Sequence, residues 1–299
     1  MNAVPPYNQD SRWPVAMMTF TTGHSIPQTV PPRPPRETLP TMYDLPSESV
    51  GEPGLPDEFH DLQPQLLSRM LTLADYSRDQ WFTGSDLNLY YDVHYPRWYK
   101  RPDWFLAVGV PRLYDGHDLR RSYVTWQEGQ NPYVVIELLS PGTEPEDLGR
   151  FYGAEDAVAS ADGIEEPWPM AAESPPVGSE QPPSKLTVYE QWLRVPHYLV
   201  YSRPTRRLRH FQLVGGRYQE APVQAPPPQA WLADLQIGLG LGLGRFEGIA
   251  GDWLRWCSAD GGWLLTDTEQ EQQARERAQA QVLQAAKKST GHRDERWIR

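Results

Sequence analysis

Cysteine, long apolar runs and lysine are scarce in this sequence, and the first two scarcities each exclude a class of protein. A single cysteine, Cys257, among 299 residues excludes a framework of intramolecular disulfides. No run approaches the roughly 20 consecutive apolar residues that a membrane span needs. The apolar stretch VAMMTF near the start is too short for a signal peptide and follows no basic region. We therefore expect a soluble, cytoplasmic protein with no membrane partner.

Lysine is the third scarce feature of the sequence. The chain contains only four lysines, and two of them, Lys287 and Lys288, lie near the C-terminus. Arginine supplies most of the positive charge, so an isolated lysine points weakly to a need for a compact, point-like amine. Lys185 is such a candidate. An exposed residue at the start of a helix is an equally good interpretation of it.

The balance of charge argues against a nucleic-acid partner at first, because the formal net charge is −11. The distribution weakens that argument. Residues 148–184 contain seven acidic residues and one basic one, whereas residues 185–266 contain nine basic residues and six acidic ones. Within the second range, a cluster of arginines is a candidate for contacting a phosphate backbone, or equally a solvated hairpin: Arg203, Arg206, Arg207 and Arg209.

Composition divides the chain into segments. Residues 1–54 are rich in proline and show no helical or strand periodicity, which predicts a disordered tail. Residues 55–265 carry the apolar patterns of one folded domain, interrupted at 148–184 by an acidic insertion rich in proline and serine. Residues 266–299 predict a charged helix with almost no apolar stripe.

Periodicity within the folded part predicts helices and strands in alternation. LQPQLLSRMLTLADY reads as a helix with Asp61 as its cap and Pro64 in its first turn. Six runs read as strands: NLYYDVHY, DWFLAVGV, SYVTWQ, YVVIELLS, HYLVYSR and RLRHFQLVGGRYQEA, the last containing a glycine turn. SKLTVYEQWLRVP predicts a short helix that Ser184 caps, with Lys185 and Tyr189 on one side.

Several other motifs fail as functional sites. IGLGLGLGRF lacks the third glycine of a dinucleotide loop, so we expect Leu239, Leu241 and Leu243 to line an edge of the core. No two histidines have the spacing of metal ligands, and no G-x-S-x-G motif is present. Cys257 has no evident base nearby in the sequence and is expected to be an inert core thiol.

Two carboxylates on predicted strands are harder to explain. Asp103 opens the apolar run DWFLAVGV, and Glu137 lies inside VVIELLS with apolar neighbours on both sides. Carboxylates on adjacent core strands repel one another unless a cation or a proton intervenes. A hard divalent ion such as Mg²⁺ suits oxygen ligands of this kind.

The residues around this pair resemble the Uma-two family of restriction endonucleases, in the PD-(D/E)XK nuclease superfamily. The resemblance rests on KRPD at the start of the strand, on VVIELLSPGT, on Asp147, and on a Lys and a Tyr ahead of VPHYLVYS. It covers roughly residues 55–265. It implies an α/β fold with a restriction-endonuclease-like core, in which helices flank a central mixed β-sheet. Leu139 occupies the position two residues after the glutamate, where the superfamily normally has lysine, and Lys185 on the next helix matches that lysine instead.

The resemblance also implies roles for individual residues. Asp103 and Glu137 would bind Mg²⁺, or Mn²⁺ in its place, with the backbone carbonyl of Leu138 as a further ligand. Lys185 would orient or deprotonate the attacking water and stabilise charge on the phosphate. Residues that support these ligands from behind would be Asp147, Tyr189 and Glu58. The implied activity is hydrolysis of phosphodiester bonds in DNA. The sequence leaves the oligomeric state open, with a homodimer as one alternative.

One departure from the family bears on this assignment. The family joins its Asp to its Lys by a few residues, whereas 37 residues separate Asp147 from Lys185 here. Closing a longer loop costs entropy only as the logarithm of its length, so the two can still meet. The alternative hypothesis is a catalytically silent protein with the nuclease fold, acting as a binding or assembly module through its tail and C-terminal helix.

Overall fold

The structure is a computed structural model that describes residues 30–34, 57–140, 142–153, 182–224 and 227–294, with side chains as far as residue 284. Backbone contacts divide the chain into two units, Met1–Ser47 and Glu48–Arg299. Of the first unit, only the exposed residues 30–34 are described. Most of the predicted tail 1–54, and residues 154–181 of the predicted insertion, lie outside the described residues. The predictions of disorder for them stay predictions.

The secondary structure of the second unit alternates short helices with strands. In chain order the elements are α1 (Glu58–Met70), β1 (Trp81–Gly84), β2 (Leu89–Tyr90), β3 (Tyr99–Lys100), β4 (Trp104–Val108), β5 (Tyr123–Val124), α2 (Thr125–Glu128), β6 (Val134–Leu138), α3 (Glu144–Leu148), α4 (Lys185–Thr187), β7 (His197–Ser202), β8 (Arg207–Val214), β9 (Arg217–Ala221), β10 (Gln229–Leu232), β11 (Ile237–Phe246), β12 (Ile249–Cys257) and α5 (Asp267–Asp294). A π-helical turn, Val188–Trp192, continues α4.

Six strands form a central sheet in the order β1-β4-β6-β7-β8-β9. β6 and β7 are parallel, and every other neighbouring pair is antiparallel, so the sheet is mixed. Two three-stranded sheets accompany it, β10-β11-β12 and β3-β2-β5. The predicted α/β class, with a mixed central sheet, flanking helices and a C-terminal helix, is confirmed.

Alternation along the strands gives the central sheet two buried faces. Trp104 and Leu106 of β4 join a core with α1 and the β10–β12 sheet. Phe105 of β4 and Val135 of β6 point the other way, into a core that includes Leu186 of α4. Each large apolar side chain removed from water in this way contributes roughly 1.5–3 kcal/mol. Sheet strands buried on both faces have continuous apolar sequences, which explains the runs WFLAV and VVIEL.

The first helix begins earlier than its sequence suggested. Asp57, not Asp61, is the cap, and its Oδ1 accepts a hydrogen bond from the backbone N–H of His60 at 3.0 Å. Pro64 therefore lies well inside α1 instead of in its first turn. It lacks an N–H to donate to the carbonyl four residues before it, so α1 tolerates a missing hydrogen bond.

Two other predictions need correction. Leu239 and Leu241 are buried in the core as expected, but Leu243 is 81% exposed and lies beyond that core, opposite Asp252 of β12. The run SYVTWQ is a strand only at Tyr123–Val124 and then turns into α2. Across the part of the chain that the structure describes, no helix combines the length and apolar character that a membrane crossing requires.

Candidate active site

Asp103 and Glu137 lie opposite each other at one end of the central sheet. β4 and β6 pair antiparallel with Trp104 facing Ile136, so the next residue outward on each strand, Asp103 and Glu137, also face each other. The N–H of Asp103 donates to Oε2 of Glu137 at 3.2 Å, and the N–H of Leu138 donates to Oδ2 of Asp103 at 2.6 Å. Because opposed residues of an antiparallel pair point to the same side, both carboxylates belong to one face.

Lys185 reaches this pair from the first residue of α4. Its Nζ lies 3.2 Å from Oε2 of Glu137 and 2.9 Å from Oδ1 of Asp147. The hydroxyl of Ser184 accepts a hydrogen bond from the N–H of Thr187 at 3.4 Å, which holds the start of the helix as the sequence predicted. The lysine therefore meets the carboxylates although a long insertion separates it from them along the chain.

Tyr189 and Asp147 complete the cluster on the same face. Tyr189 donates from its hydroxyl to Oε1 of Glu137 at 2.8 Å, so it and Lys185 approach the two different oxygens of that carboxylate. Asp147, near the end of α3, is buried, and its backbone carbonyl accepts a hydrogen bond from the hydroxyl of Tyr198 at 2.8 Å. Within the described ranges, no hydrogen-bond donor reaches Oδ2 of Asp147.

Burial and mutual repulsion shape the protonation of these groups. Burial, followed by repulsion from neighbouring carboxylates, raises the pKa of Glu137 well above its ordinary value, and burial also raises the pKa of Asp103. Burial alone lowers the pKa of Lys185, but the attraction of Glu137, Asp147 and Asp103 outweighs it and raises that pKa well above its usual range. The cluster therefore has more carboxylates than cations and favours an additional positive charge, from a proton or a metal ion.

The residues present suit a hard divalent ion. Asp103 is only partly buried, and none of the described residues donates a hydrogen bond to its Oδ1. Oδ2 of Asp147 is likewise unpaired. No group of three or more His, Cys, Asp or Glu side chains in the described ranges is arranged to hold an ion unaided. Mg²⁺ commonly takes only one or two carboxylates and fills the rest of its shell with water and phosphate oxygens, so the donor set fits that ion.

His60 is a residue of this site that sequence reasoning missed. Its Nε2 lies 2.9 Å from the carbonyl oxygen of Leu138, and its Nδ1 lies 2.7 Å from Oδ1 of Asp57. The Leu138 carbonyl, which the family resemblance implies as a metal ligand, thus already accepts a hydrogen bond through one lone pair. The only sequence signal was an Asp and a His three residues apart in the first turn of a helix. That pattern does not reveal which strand the imidazole will reach.

Glu58 does not join the site. It lies in the first turn of α1, but its side chain is exposed. No hydrogen bond or ion pair connects it to the cluster in the part of the chain that the structure describes. His60, two residues further on, is the side chain of that turn that faces inward. The structure therefore does not bring Glu58 together with Asp103 and Glu137.

The four arginines predicted to contact nucleic acid do not form one surface. Arg209 is buried and holds Glu220 through two hydrogen bonds, at 2.9 and 2.7 Å, so its guanidinium has a structural partner. Arg203 and Arg206 have exposed side chains, and Arg206 pairs with Asp252 at 2.7 Å. Arg207 is exposed on the same strand as Arg209. The four arginines that cluster in the sequence are thus divided between one buried ion pair, that of Arg209, and three exposed side chains.

A mixed sheet brings two carboxylates together on adjacent strands, and a lysine from a later helix contacts one of them. This arrangement defines a restriction-endonuclease-like α/β protein. The sequence profile of a family described as "Putative restriction endonuclease", Uma2, matches residues 37–244. Because this match spans more than half of the chain, the chain belongs to the Uma2 family, whose description points to nuclease activity. No protein of curated function matches the chain.

Proposed function

We propose that this protein is a Mg²⁺-dependent endonuclease that hydrolyses phosphodiester bonds in DNA, with Mn²⁺ able to replace Mg²⁺. The observation that supports this most directly is the contact of Lys185 with both Glu137 and Asp147, on the face that also holds Asp103. An isolated structural ion pair needs one carboxylate for one lysine. Lys185 instead lies among three carboxylates, and this arrangement is suited to binding a cation and an anionic substrate together.

Asp103 and Glu137 are the residues that would hold the ion. The Leu138 carbonyl, at the end of β6 beside Glu137, has a second lone pair that would be a further ligand. A bound divalent ion supplies charge that stabilises the phosphate and activates water for attack. Tyr189 fixes Oε1 of Glu137 through its hydroxyl, which orients that carboxylate. His60 fixes the Leu138 carbonyl from the other side of the sheet.

Lys185 acts in this proposal as a cation. The surrounding carboxylates raise its pKa against the opposing effect of burial, which favours the protonated amine. A protonated lysine can donate to the attacking water and stabilise the negative charge that develops on phosphate. Of the two roles that the family resemblance implies for this lysine, orientation of the water suits the charged amine and deprotonation does not.

The test is a cleavage assay with the purified full-length chain on supercoiled plasmid, linear duplex and single-stranded DNA. We expect cleavage of at least one form with Mg²⁺ or Mn²⁺, and none after addition of EDTA. Ca²⁺ serves as the control ion, since it binds oxygen ligands at longer distances and with less rigid geometry than Mg²⁺. Absence of cleavage on every form of DNA with either ion would contradict the proposal.

A catalytically silent binding module is the second candidate. The net charge of −11 opposes tight binding of DNA, and α5 is a helix of 28 residues whose side chains are almost all exposed from 267 to 284. A helix that packs against so little of its own domain is available to a partner. A protein that is inactive on DNA yet forms a stable complex through α5 would favour this alternative.

A further inference from the structure

The segment from β2 to β3 forms a hairpin with one outward and one inward face; we call residues 89–100 the aromatic hairpin. β2 and β3 pair antiparallel, Leu89 with Lys100 and Tyr90 with Tyr99. Leu89 is fully buried, whereas Tyr99 is 42% exposed. Because opposed pairs alternate between the two faces of a sheet, Leu89 and Lys100 face the domain and the two tyrosines face outward.

Aromatic rings concentrate on the outward side and at the turn. The rings of Tyr90 and Tyr99 lie 5.6 Å apart between centroids. At the turn, Tyr95 and Trp98 are stacked with centroids 3.9 Å apart and planes within 8° of parallel. The N–H of Trp98 donates to the carbonyl of Tyr95 at 2.8 Å, which fixes this pair across a tight turn. A group of rings left partly in water is a common mark of a binding surface.

The aromatic hairpin carries two basic residues, Arg97 and Lys100, and one acidic residue, Asp92. Lys100 is paired with Glu146, so Arg97 is the basic side chain of the hairpin that is left for a ligand. Arg97 lies at the tip of the turn, exposed, and no acidic side chain among the described residues pairs with it. Rings beside an unpaired guanidinium offer both stacking and charge to an anionic ligand.

The hairpin leads directly into the candidate active site. Tyr99 precedes Asp103 by four residues, which span at most about 14 Å of extended chain. Lys100 pairs with Glu146 at 2.8 Å, and Glu146 is the neighbour of Asp147. Arg101 pairs with Asp86 at 2.7 Å, and Pro102 accepts a hydrogen bond from the N–H of Asp86 at 3.1 Å. Contacts on both sides therefore hold the base of the hairpin beside the carboxylates.

We propose that the outward face of the aromatic hairpin binds unpaired nucleotides of a DNA strand. Trp98 packs against the inner core of the domain, and Tyr95, which is stacked on it, is 38% exposed. Bases stack on Tyr99 and on the exposed ring of Tyr95, and Arg97 contacts a phosphate. Every base has a π-face, so such stacking tolerates any sequence, and it requires bases that are not already stacked in a duplex. The inference rests on the proposed function, because it names single-stranded or locally unpaired DNA as the form that this site engages.

The experiment measures binding without cleavage. The full-length protein is titrated, in EDTA, into a fluorescently labelled single-stranded oligonucleotide of mixed sequence and, separately, into the corresponding duplex, with anisotropy as the readout. We expect tighter binding of the single strand. Tyr99→Ala should weaken it about 5- to 100-fold, whereas Tyr99→Phe should bind as wild type because stacking needs the ring and not the hydroxyl.

Two further variants separate the contributions. Arg97→Gln should reduce the dependence of binding on salt by about one phosphate contact, and its position at an exposed turn leaves the fold undisturbed. Trp231→Ala removes another ring, 40% exposed on β10, and is the matched control that should leave binding unchanged. Circular dichroism of each variant checks that the fold is retained.

Equal affinity for single strand and duplex, or wild-type binding by Tyr99→Ala, would overturn the inference. So would preferential binding, at the Tyr99 face, of a peptide with the proline-rich sequence VPPRPPR of residues 30–36 in place of the oligonucleotide. These results are distinct from failure of the proposed function. Intact binding of the single strand without any metal-dependent cleavage would contradict the nuclease assignment alone.

Discussion

Asp103 and Glu137 hold each other by reciprocal hydrogen bonds between side chain and backbone. The N–H of Asp103 donates to Oε2 of Glu137, and the N–H that follows Glu137, on Leu138, donates to Oδ2 of Asp103. Neither carboxylate can rotate away without leaving a backbone N–H unpaired. These hydrogen bonds therefore keep the two carboxylates close together at the end of the sheet, where the pKa of each is raised.

Asp103→Asn removes the negative charge of the side chain but keeps its shape. The amide oxygen can still accept from the N–H of Leu138, so we expect the fold to persist, whereas loss of the ligand charge should abolish metal-dependent cleavage. The melting temperature should stay the same or rise, because one of the mutually repelling carboxylates is gone. Cleavage assays and thermal unfolding measure both effects.

Asp115→Asn, at an exposed turn, is the control for Asp103→Asn and should change neither property. Wild-type cleavage by Asp103→Asn would leave the binding-module alternative as the better account of this chain.

Lys185→Met tests the role of the buried ammonium. Its removal leaves Glu137 and Asp147 without their cation, and loss of one partner of a buried ion pair typically costs about 3–5 kcal/mol of unfolding free energy. Affinity for Mg²⁺ should be maintained or increased, since the site becomes more negative, while cleavage should fall. Urea unfolding, calorimetric titration with Mg²⁺ and the cleavage rate report these three quantities.

Lys100→Met provides the comparison for Lys185→Met, because Lys100 pairs with Glu146 outside the central group of carboxylates. A large loss of Mg²⁺ affinity in Lys185→Met would show that the lysine organises the metal ligands, contrary to the role proposed for it.

His60 is expected to position the Leu138 carbonyl. His60→Phe removes the donor and leaves that carbonyl unpaired, which should cost about 1–3 kcal/mol of stability. If the carbonyl supports the metal, the Mg²⁺ concentration for half-maximal activity should also rise about 10- to 100-fold. His60→Gln retains an N–H donor and should recover part of both losses. A drop in stability with no change in the Mg²⁺ requirement would mean that His60 has only a structural role.

A buried histidine pair should make the fold sensitive to acid. Nδ1 of His197 lies 3.0 Å from Nε2 of His210, and burial, with the nearby His197, lowers the pKa of His210 from 6.5 to about 4. The folded state therefore keeps His210 neutral, and its stability is complete above about pH 6.5 and declines as the pH falls towards 4. At pH 5 the loss should be about 2 kcal/mol.

Urea unfolding at pH 7 and pH 5 measures this loss. His210→Gln should lose less stability between the two values than wild type does, since its amide does not titrate. His94→Gln, whose imidazole is 83% exposed, should behave as wild type. An equal loss in wild type and His210→Gln would place the acid sensitivity elsewhere.

Local patterns in the sequence determined much of the architecture. The runs around Asp103 and Glu137 were correctly predicted as strands, because strands buried on both faces need continuous apolar residues. The strand pair of β8 and β9 followed from apolar segments separated by Gly215 and Gly216. Ser184 was correctly predicted as a cap, since capping depends on residues within one turn of the helix.

The arrangement of the site was decided by tertiary structure. The antiparallel pairing of β4 with β6 sets Asp103 opposite Glu137, and a shift of one residue would have sent one carboxylate to the other face. Lys185 contacts Glu137 although a long insertion precedes it, and the length of an insertion does not determine the distance between its two ends. His60 reaches Leu138, 78 residues away, and Arg209 is buried against Glu220 rather than exposed to a ligand. Such contacts join elements that are distant along the chain, and their partners depend on strand register and helix packing, which no short stretch of sequence specifies.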